Sequence, residues 1–288
     1  MKKIWYLSFA LLASISSCDI IDHPIIDYGI GYREDLYGPA PTFEPVSGNG
    51  GGMRNVLLED FTGHDCGNCP DAHVVAEELL VEHPGRVAVV SVHAGPLAEP
   101  LPPDFPDDYR TPEGEAYFSQ LSFQVNPIGR VSREGGPASI WSHAQWPAET
   151  ENQLNDNAAV VLQMEASLDT ILGNLNIHVF DQWMQDVAGN QNLVVLITES
   201  KIIGPQLEYL PEAYIHEEYE HNHMLRTSVS GLGGLSIANN PTTGEIGLSS
   251  YTYEWNNNWD WHNCYVVAFV VDGTNGEVLN AVEKKLDE

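Results

Sequence analysis

Basic residues are scarce in this chain: 12 Lys and Arg stand against 41 Asp and Glu, for a formal net charge of −29. A surface that acidic repels phosphate backbones and anionic lipid headgroups, which excludes nucleic acid as an expected partner. Long apolar runs are missing beyond the first residues, so no transmembrane helix is expected in the body of the chain. No internal repeat of fixed period is present. Only four cysteines occur, so each has to be accounted for. The acids are spread along the chain and hydrophobic residues make up 43%, which excludes a disordered acidic tail and predicts a packed core. A length of 288 residues allows one large domain or two ordinary ones.

The N-terminus is where apolar sequence is concentrated. Lys2 and Lys3 precede an apolar run from Ile4 to Ala13, and small residues lead from Ser14 to Cys18. That is the layout of a secretory signal peptide, too short to span a bilayer as a helix. Ile15-Ser16-Ser17-Cys18 resembles a bacterial lipobox, so residues 1–17 are expected to be removed and Cys18 to carry the lipid. The acyl chains, palmitate among them, would be the membrane partner, with the rest of the protein in water. The alternative is cleavage by a general signal peptidase, which would leave Cys18 an ordinary thiol.

Residues 18–52 are Gly- and Pro-dotted and end in Ser47-Gly48-Asn49-Gly50-Gly51-Gly52, predicting a flexible tether. A strand is expected over Asn55 to Phe61, a turn over Thr62 to Asn68, and a helix from Cys69-Pro70 that ends at His83-Pro84-Gly85. Arg86 to His93 is almost wholly apolar, as in a buried parallel strand. Strand, helix and strand of these lengths predict a right-handed crossover unit. Residues 94–112 hold six prolines and read as a loop or insertion. A helix over Pro112 to Leu121, a strand from Asn126 to Val131 and a helix over Ser142 to Asn155 follow. Beyond residue 157 apolar runs at 160–166, 175–179, 193–198 and 265–271 lie among turn signals such as Gly189-Asn190 and Asp272-Gly273. The predicted fold class is α/β over residues 53–157, followed by an all-β sandwich over residues 158–288.

Cys66-Gly67-Asn68-Cys69 falls after the first buried strand and at the first turn of a helix. Unpaired helix amides and the positive end of the dipole stabilise a thiolate there, so Cys66 is the expected attacking thiol and Cys69 the resolving one. Asp65 opposes this as a neighbouring carboxylate, and a protonated His64 would offset it. Two alternatives stand beside exchange. Cys66 and Cys69 can form a permanent disulfide that staples the loop. They can also join His64 and His73 as ligands for zinc or copper, although a set packed around one helix start is hard to close as a tetrahedron.

Strand, Cys-x-x-Cys-Pro, helix, strand and a later proline before another strand together resemble the thioredoxin superfamily. The resemblance implies that Pro127 of Asn126-Pro127 is the cis-proline packed against the active disulfide, with a substrate chain docking beside it. Asp65 departs from the tryptophan usual before the first cysteine. Over most of the mature chain, Val56-Leu57-Leu58-Glu59-Asp60-Phe61-Thr62-Gly63, the Cys66 to Pro70 block, His221-Asn222-His223-Met224-Leu225-Arg226 and the lipobox resemble the outer-membrane-protein-28-type lipoproteins of Gram-negative bacteria. That family implies a thioredoxin-like domain and a β-rich domain at the outer membrane, and supplies no reaction. Envelope proteins are then the expected exchange substrates or binding partners. No cofactor and no metal are expected.

His221 and His223, two apart, are expected on one side of a strand, either as a cation site or as a solvated acidic edge. Tyr251, Tyr253, Trp255, Trp259 and Trp261 are expected either to bind carbohydrate or peptide or to form a core layer beside a polar loop. A lipidated Cys18 cannot join a disulfide, which leaves an odd count. If Cys66 pairs with Cys69, Cys264 is free, and its apolar surroundings suit a buried, inert thiol.

Overall fold

The computed structural model describes residues 31–46, 52–209 and 211–286. The signal peptide, Cys18 and the tether up to residue 30 lie outside the described residues. Among the described residues no helix is long and apolar enough to cross a membrane.

After a short helix α1 (Glu34–Tyr37), the crossover expected from sequence is present: β1 (Val56–Thr62), α2 (Cys69–Glu82) and β2 (Val87–His93), with β1 and β2 parallel. α3 (Pro112–Ser119) is capped by the Thr111 side chain, which accepts from Gly114 N–H. β3 (Ile128–Val131) then pairs antiparallel with β1. The helix expected over 142–155 divides into a 3₁₀ turn at His143–Gln145 and α4 (Trp146–Leu154). Pro147, in the first turn of α4, fits a helix start because its missing N–H has no helical acceptor there.

The remaining elements are strands: β4 (Val160–Asp169), β5 (Asn174–Trp183), β6 (Asn190–Glu199), β7 (Ile202–Glu208), β8 (Tyr214–His221), β9 (Met224–Ser228), β10 (Leu235–Asn239), β11 (Ile246–Glu254), β12 (Cys264–Asp272) and β13 (Val278–Lys285). The large sheet runs β13-β12-β6-β9-β2-β1-β3, with β10 also on β6. Strands from both sides of residue 157 therefore belong to one sheet, joined where Ser91 of β2 meets Met224 of β9. An open β2 edge leaves backbone donors and acceptors unpaired, and here Ser91 N–H is satisfied by His223 O at 2.8 Å. β11-β5-β4 form a second sheet and β7-β8 a separate hairpin.

The large sheet curls without closing. Val278 N–H donates to Ser132 O at 2.8 Å and Asn55 N–H to Asn280 Oδ1 at 2.8 Å, which brings β13 beside the start of β1. Inside the curl, Leu57, Phe61, Val90, Leu196 and Phe269 pack with Tyr117 and Phe118 of α3. Outside it, α2 and α4 cover Val56, Leu58 and Val89. β4, β5 and β11 cover the outer face of β6 and β12. This explains the unbroken run Leu193-Val194-Val195-Leu196-Ile197: odd and even positions face different cores, so neither face is left for polar residues.

Residues 31–46 correct one expectation. They are not a free tether but lie against the three-stranded sheet, where Arg33 N–H donates to Thr252 Oγ1 at 3.0 Å and Phe43 stacks on Phe180 at 5.6 Å. Tyr32 likewise meets His178 edge-on, so the aromatics of this stretch bury on a sheet face that would otherwise be wet.

Candidate functional site

Alternation along β1 decides which side chains reach the Cys-x-x-Cys turn. Leu57, Glu59 and Phe61 point into the curl, whereas Val56, Leu58 and Asp60 point toward α2. Glu59 is buried and held by Arg130 at 2.6 Å and Arg133 at 2.7 Å. Burial pushes its carboxyl up, but the two guanidiniums overcome this and hold it at about 2. Asp60, on the other face, has no such partner. Both its oxygens are buried without a hydrogen bond, and desolvation raises it to about 8. The imidazole of His73, one turn along α2 from Cys69, places its Nε2 3.7 Å from the carboxyl. Burial holds that imidazole down at about 4. It is therefore neutral at pH 7, bonded to Thr62 Oγ1 at 2.9 Å and Tyr219 Oη at 2.7 Å.

Cys66 and Cys69 form a disulfide with Cα atoms 5.4 Å apart. Cys69 is the first residue of α2 and Pro70 the second, as the sequence predicts. The bond is not open to solvent: Cys66 is 2% exposed and Cys69 0%. The β7-β8 hairpin covers it. Leu207 N–H donates to His64 O at 2.8 Å and Tyr209 N–H to Gly67 O at 3.0 Å, so residues 207–209 run alongside the turn. Gln206 Nε2 donates to Cys66 O at 3.1 Å and Gly63 O at 3.3 Å. A Cβ at Gly67 would lie 2.5 Å from the Tyr209 ring, so only glycine admits this approach.

The Asn126–Pro127 bond is cis. Asn126 Nδ2 donates to Thr62 O at 2.8 Å and Ala94 O at 3.1 Å, which fixes this loop at the ends of β1 and β2.

His64 and His73 do not converge on the cysteines as ligands. His64 Nε2 meets Glu99 O at 2.9 Å, and among the described residues no group of three or more His, Cys, Asp or Glu is placed to hold a metal ion. The Pro-rich insertion contributes what sequence reading missed. Phe105 stacks on His64 at 5.0 Å, and Tyr109 packs against His64, His93 and His221 at 5.8, 5.4 and 5.2 Å. They are the two aromatics of residues 94–111, and that was the available signal.

His221 and His223 are corrected as well. They do not share a strand face, because β8 ends at His221 and the chain turns through His223, whose φ is +55°. His221 is buried rather than solvated, desolvated down to about 3, and His223 Nε2 faces Glu77 at 3.2 Å. Tyr251 and Trp255 belong to the core, with Tyr253, Trp259 and Trp261 packed against it. Cys264 is a buried free thiol raised by desolvation.

The family described as Outer membrane protein Omp28 matches residues 114–288, more than half of the chain. The chain belongs to the Omp28 family. HBP35 of Porphyromonas gingivalis shares the fold with a TM-score of 0.63 at 19% identity, over 82% of this chain and 76% of that one. A protein of Agrobacterium tumefaciens aligns with a TM-score of 0.48 at 12% identity, over 81% and 94% of the two chains. A domain of the outer membrane lipoprotein Omp28 from P. gingivalis aligns with a TM-score of 0.31 at 19% identity, over 45% of this chain and 89% of that domain. No curated protein matches the chain. Membership in the Omp28 family accounts for the β-rich part and does not by itself assign a reaction to the disulfide, which lies before the matched residues.

Proposed function

We propose that this Omp28-family chain is anchored to the outer membrane by lipid on Cys18 and exchanges disulfides with envelope proteins through Cys66 and Cys69. The unit doing so is the thioredoxin-like stretch 53–157, extended by the β-rich residues 158–288. The observation that carries the reading is the buried Asp60 carboxyl. It is left without a hydrogen bond, on the face of β1 that packs under the helix beginning at Cys69. A structural staple does not need an unpaired buried acid, which costs about 1–3 kcal/mol or more. A thiol pair that must take up and release protons does have a use for one held at about 8.

In the reduced chain, Cys66 as thiolate attacks one sulfur of a substrate disulfide, forming a mixed disulfide and expelling the other substrate sulfur as thiolate. Cys69 gives its proton to the expelled substrate thiolate, attacks the Cys66 sulfur and releases the second substrate sulfur as thiolate. The substrate gains two electrons and the chain becomes the Cys66–Cys69 disulfide of the structure. The cis Pro127 loop, tied to β1 and β2, is the surface beside which a substrate strand would lie.

The burial of both sulfurs favours a second reading, a structural disulfide in a non-catalytic binding lipoprotein. Trapping separates the two. A Cys69→Ser variant is expected to accumulate mixed disulfides with envelope proteins that vanish when Cys66 is also replaced. An empty trap, together with a reduction potential below about −300 mV, would leave the disulfide structural. For the anchor, a Cys18→Ser variant is expected to move from the membrane to the soluble fraction, and retention in the membrane would refute lipid attachment at that residue.

A further inference from the structure

We infer that the groove beside α2 is a docking site for a cationic, aliphatic-bearing segment of a partner protein. The groove has a volume of about 520 Å³ and lies between the outer face of α2 and the β8-β9 turn, with Ser91 on its floor. Two features of its lining point to this occupant. The first is apolar exposure: Val74 is 56% and Val81 79% exposed, two turns apart on one helix face. The second is an excess of carboxylates. Glu77, Glu78 and Glu82 from the helix and Glu220 from β8 line the groove, and no Lys or Arg does. Two imidazoles also line it: His73 is neutral because it is desolvated, and His223 Nε2 faces Glu77 at 3.2 Å, which leaves Glu78, Glu82 and Glu220 to meet an occupant. An occupant must therefore bury against valine side chains while presenting positive charge to the rim.

Charge removes the other occupants. A second copy of a chain carrying −29 would meet the groove with like charge. The chain's own residues 19–30 hold Asp19, Asp22 and Asp27 and neither Lys nor Arg. Anionic headgroups are repelled for the same reason, and no group of three or more carboxylate, imidazole or thiol ligands among the described residues is placed to hold a metal ion. A basic protein segment is the class that fits. The inference is independent of whether the disulfide exchanges, since the groove is lined by neither cysteine.

Titration of the oxidised full chain with a synthetic amphipathic Leu/Lys peptide tests this, using a Leu/Glu peptide of the same pattern and oligolysine as comparisons. The Leu/Lys peptide is expected to bind and the Leu/Glu peptide not to. Val74→Ser with Val81→Ser should weaken binding roughly 10-fold or more, through lost apolar burial. Glu78→Gln with Glu82→Gln should weaken it by roughly 2- to 20-fold at low salt, with the difference shrinking as salt rises. All four changes are on the solvent face of α2, and unchanged circular dichroism checks that the fold persists. Equal affinity for oligolysine, or variants that bind as the parent does, would overturn the site in favour of diffuse attraction to an acidic surface. A change in oligomeric state in the valine variant without loss of peptide binding would overturn it in favour of self-association.

Discussion

Replacing Asp60 with asparagine removes one titration and leaves the shape of β1 nearly unchanged. The folded protein holds the Asp60 proton up to a pH of about 8, against 3.8 for an ordinary aspartate. Between those values the folded state carries a proton that the unfolded chain has lost. The stabilising contribution of the neutral acid is therefore complete below about pH 4, declines as pH rises, and is gone above about pH 8. One proton corresponds to about 1.4 kcal/mol per pH unit, so the parent should lose up to roughly 6 kcal/mol relative to Asp60→Asn across the window. The asparagine amide, buried in the same unpaired place, adds a penalty that does not change with pH. Urea unfolding of the oxidised protein and the variant at intervals from pH 4 to 9 measures the difference, in which titrating groups remote from Asp60 cancel and the adjacent His73 and Tyr219 do not. Two curves that run parallel through the window would mean that Asp60 ionises near its ordinary value in the fold. The proton store invoked for thiol exchange would then be absent.

The hairpin over the disulfide makes a kinetic prediction. Gln206→Ala removes two hydrogen bonds to the Cys66 turn, worth about 1 kcal/mol each, and should speed reduction of the native disulfide by a phosphine roughly 5- to 30-fold; an unchanged rate would show that the hairpin does not limit access. For the buried ion group inside the curl, Glu59→Gln leaves Arg130 and Arg133 facing an amide, and a loss of about 3–5 kcal/mol in denaturant unfolding is expected. A loss below about 1 kcal/mol would mean that water reaches the guanidiniums.

Local pattern was sufficient for the elements around the cysteines. The helix begins at Cys69 because Pro70 suits a first turn, and β1, α2 and β2 lie within a residue or so of their expected ends. The extent of β8 was not legible, because Tyr-Ile-His-Glu-Glu-Tyr-Glu-His carries no apolar alternation: most of the strand is exposed and its partner is only β7. The site was legible as a disulfide at a helix start but not as a covered one. Nothing near Cys66 in sequence announces that Gln206 and Tyr209, about 140 residues later, close over it.

By itself, then, the sequence determined the charge, the crossover unit, and the placement of Cys66 and Cys69 at the start of α2. These depend on composition and on contacts a few residues apart. Only the tertiary structure decided that Glu59 is ionised and its neighbour Asp60 holds a proton. Adjacent residues of a strand face opposite cores, and two arginines are present in one and not in the other. It also decided that strands from both halves share one curled sheet, because an unpaired β2 edge is satisfied by whichever distant segment reaches it.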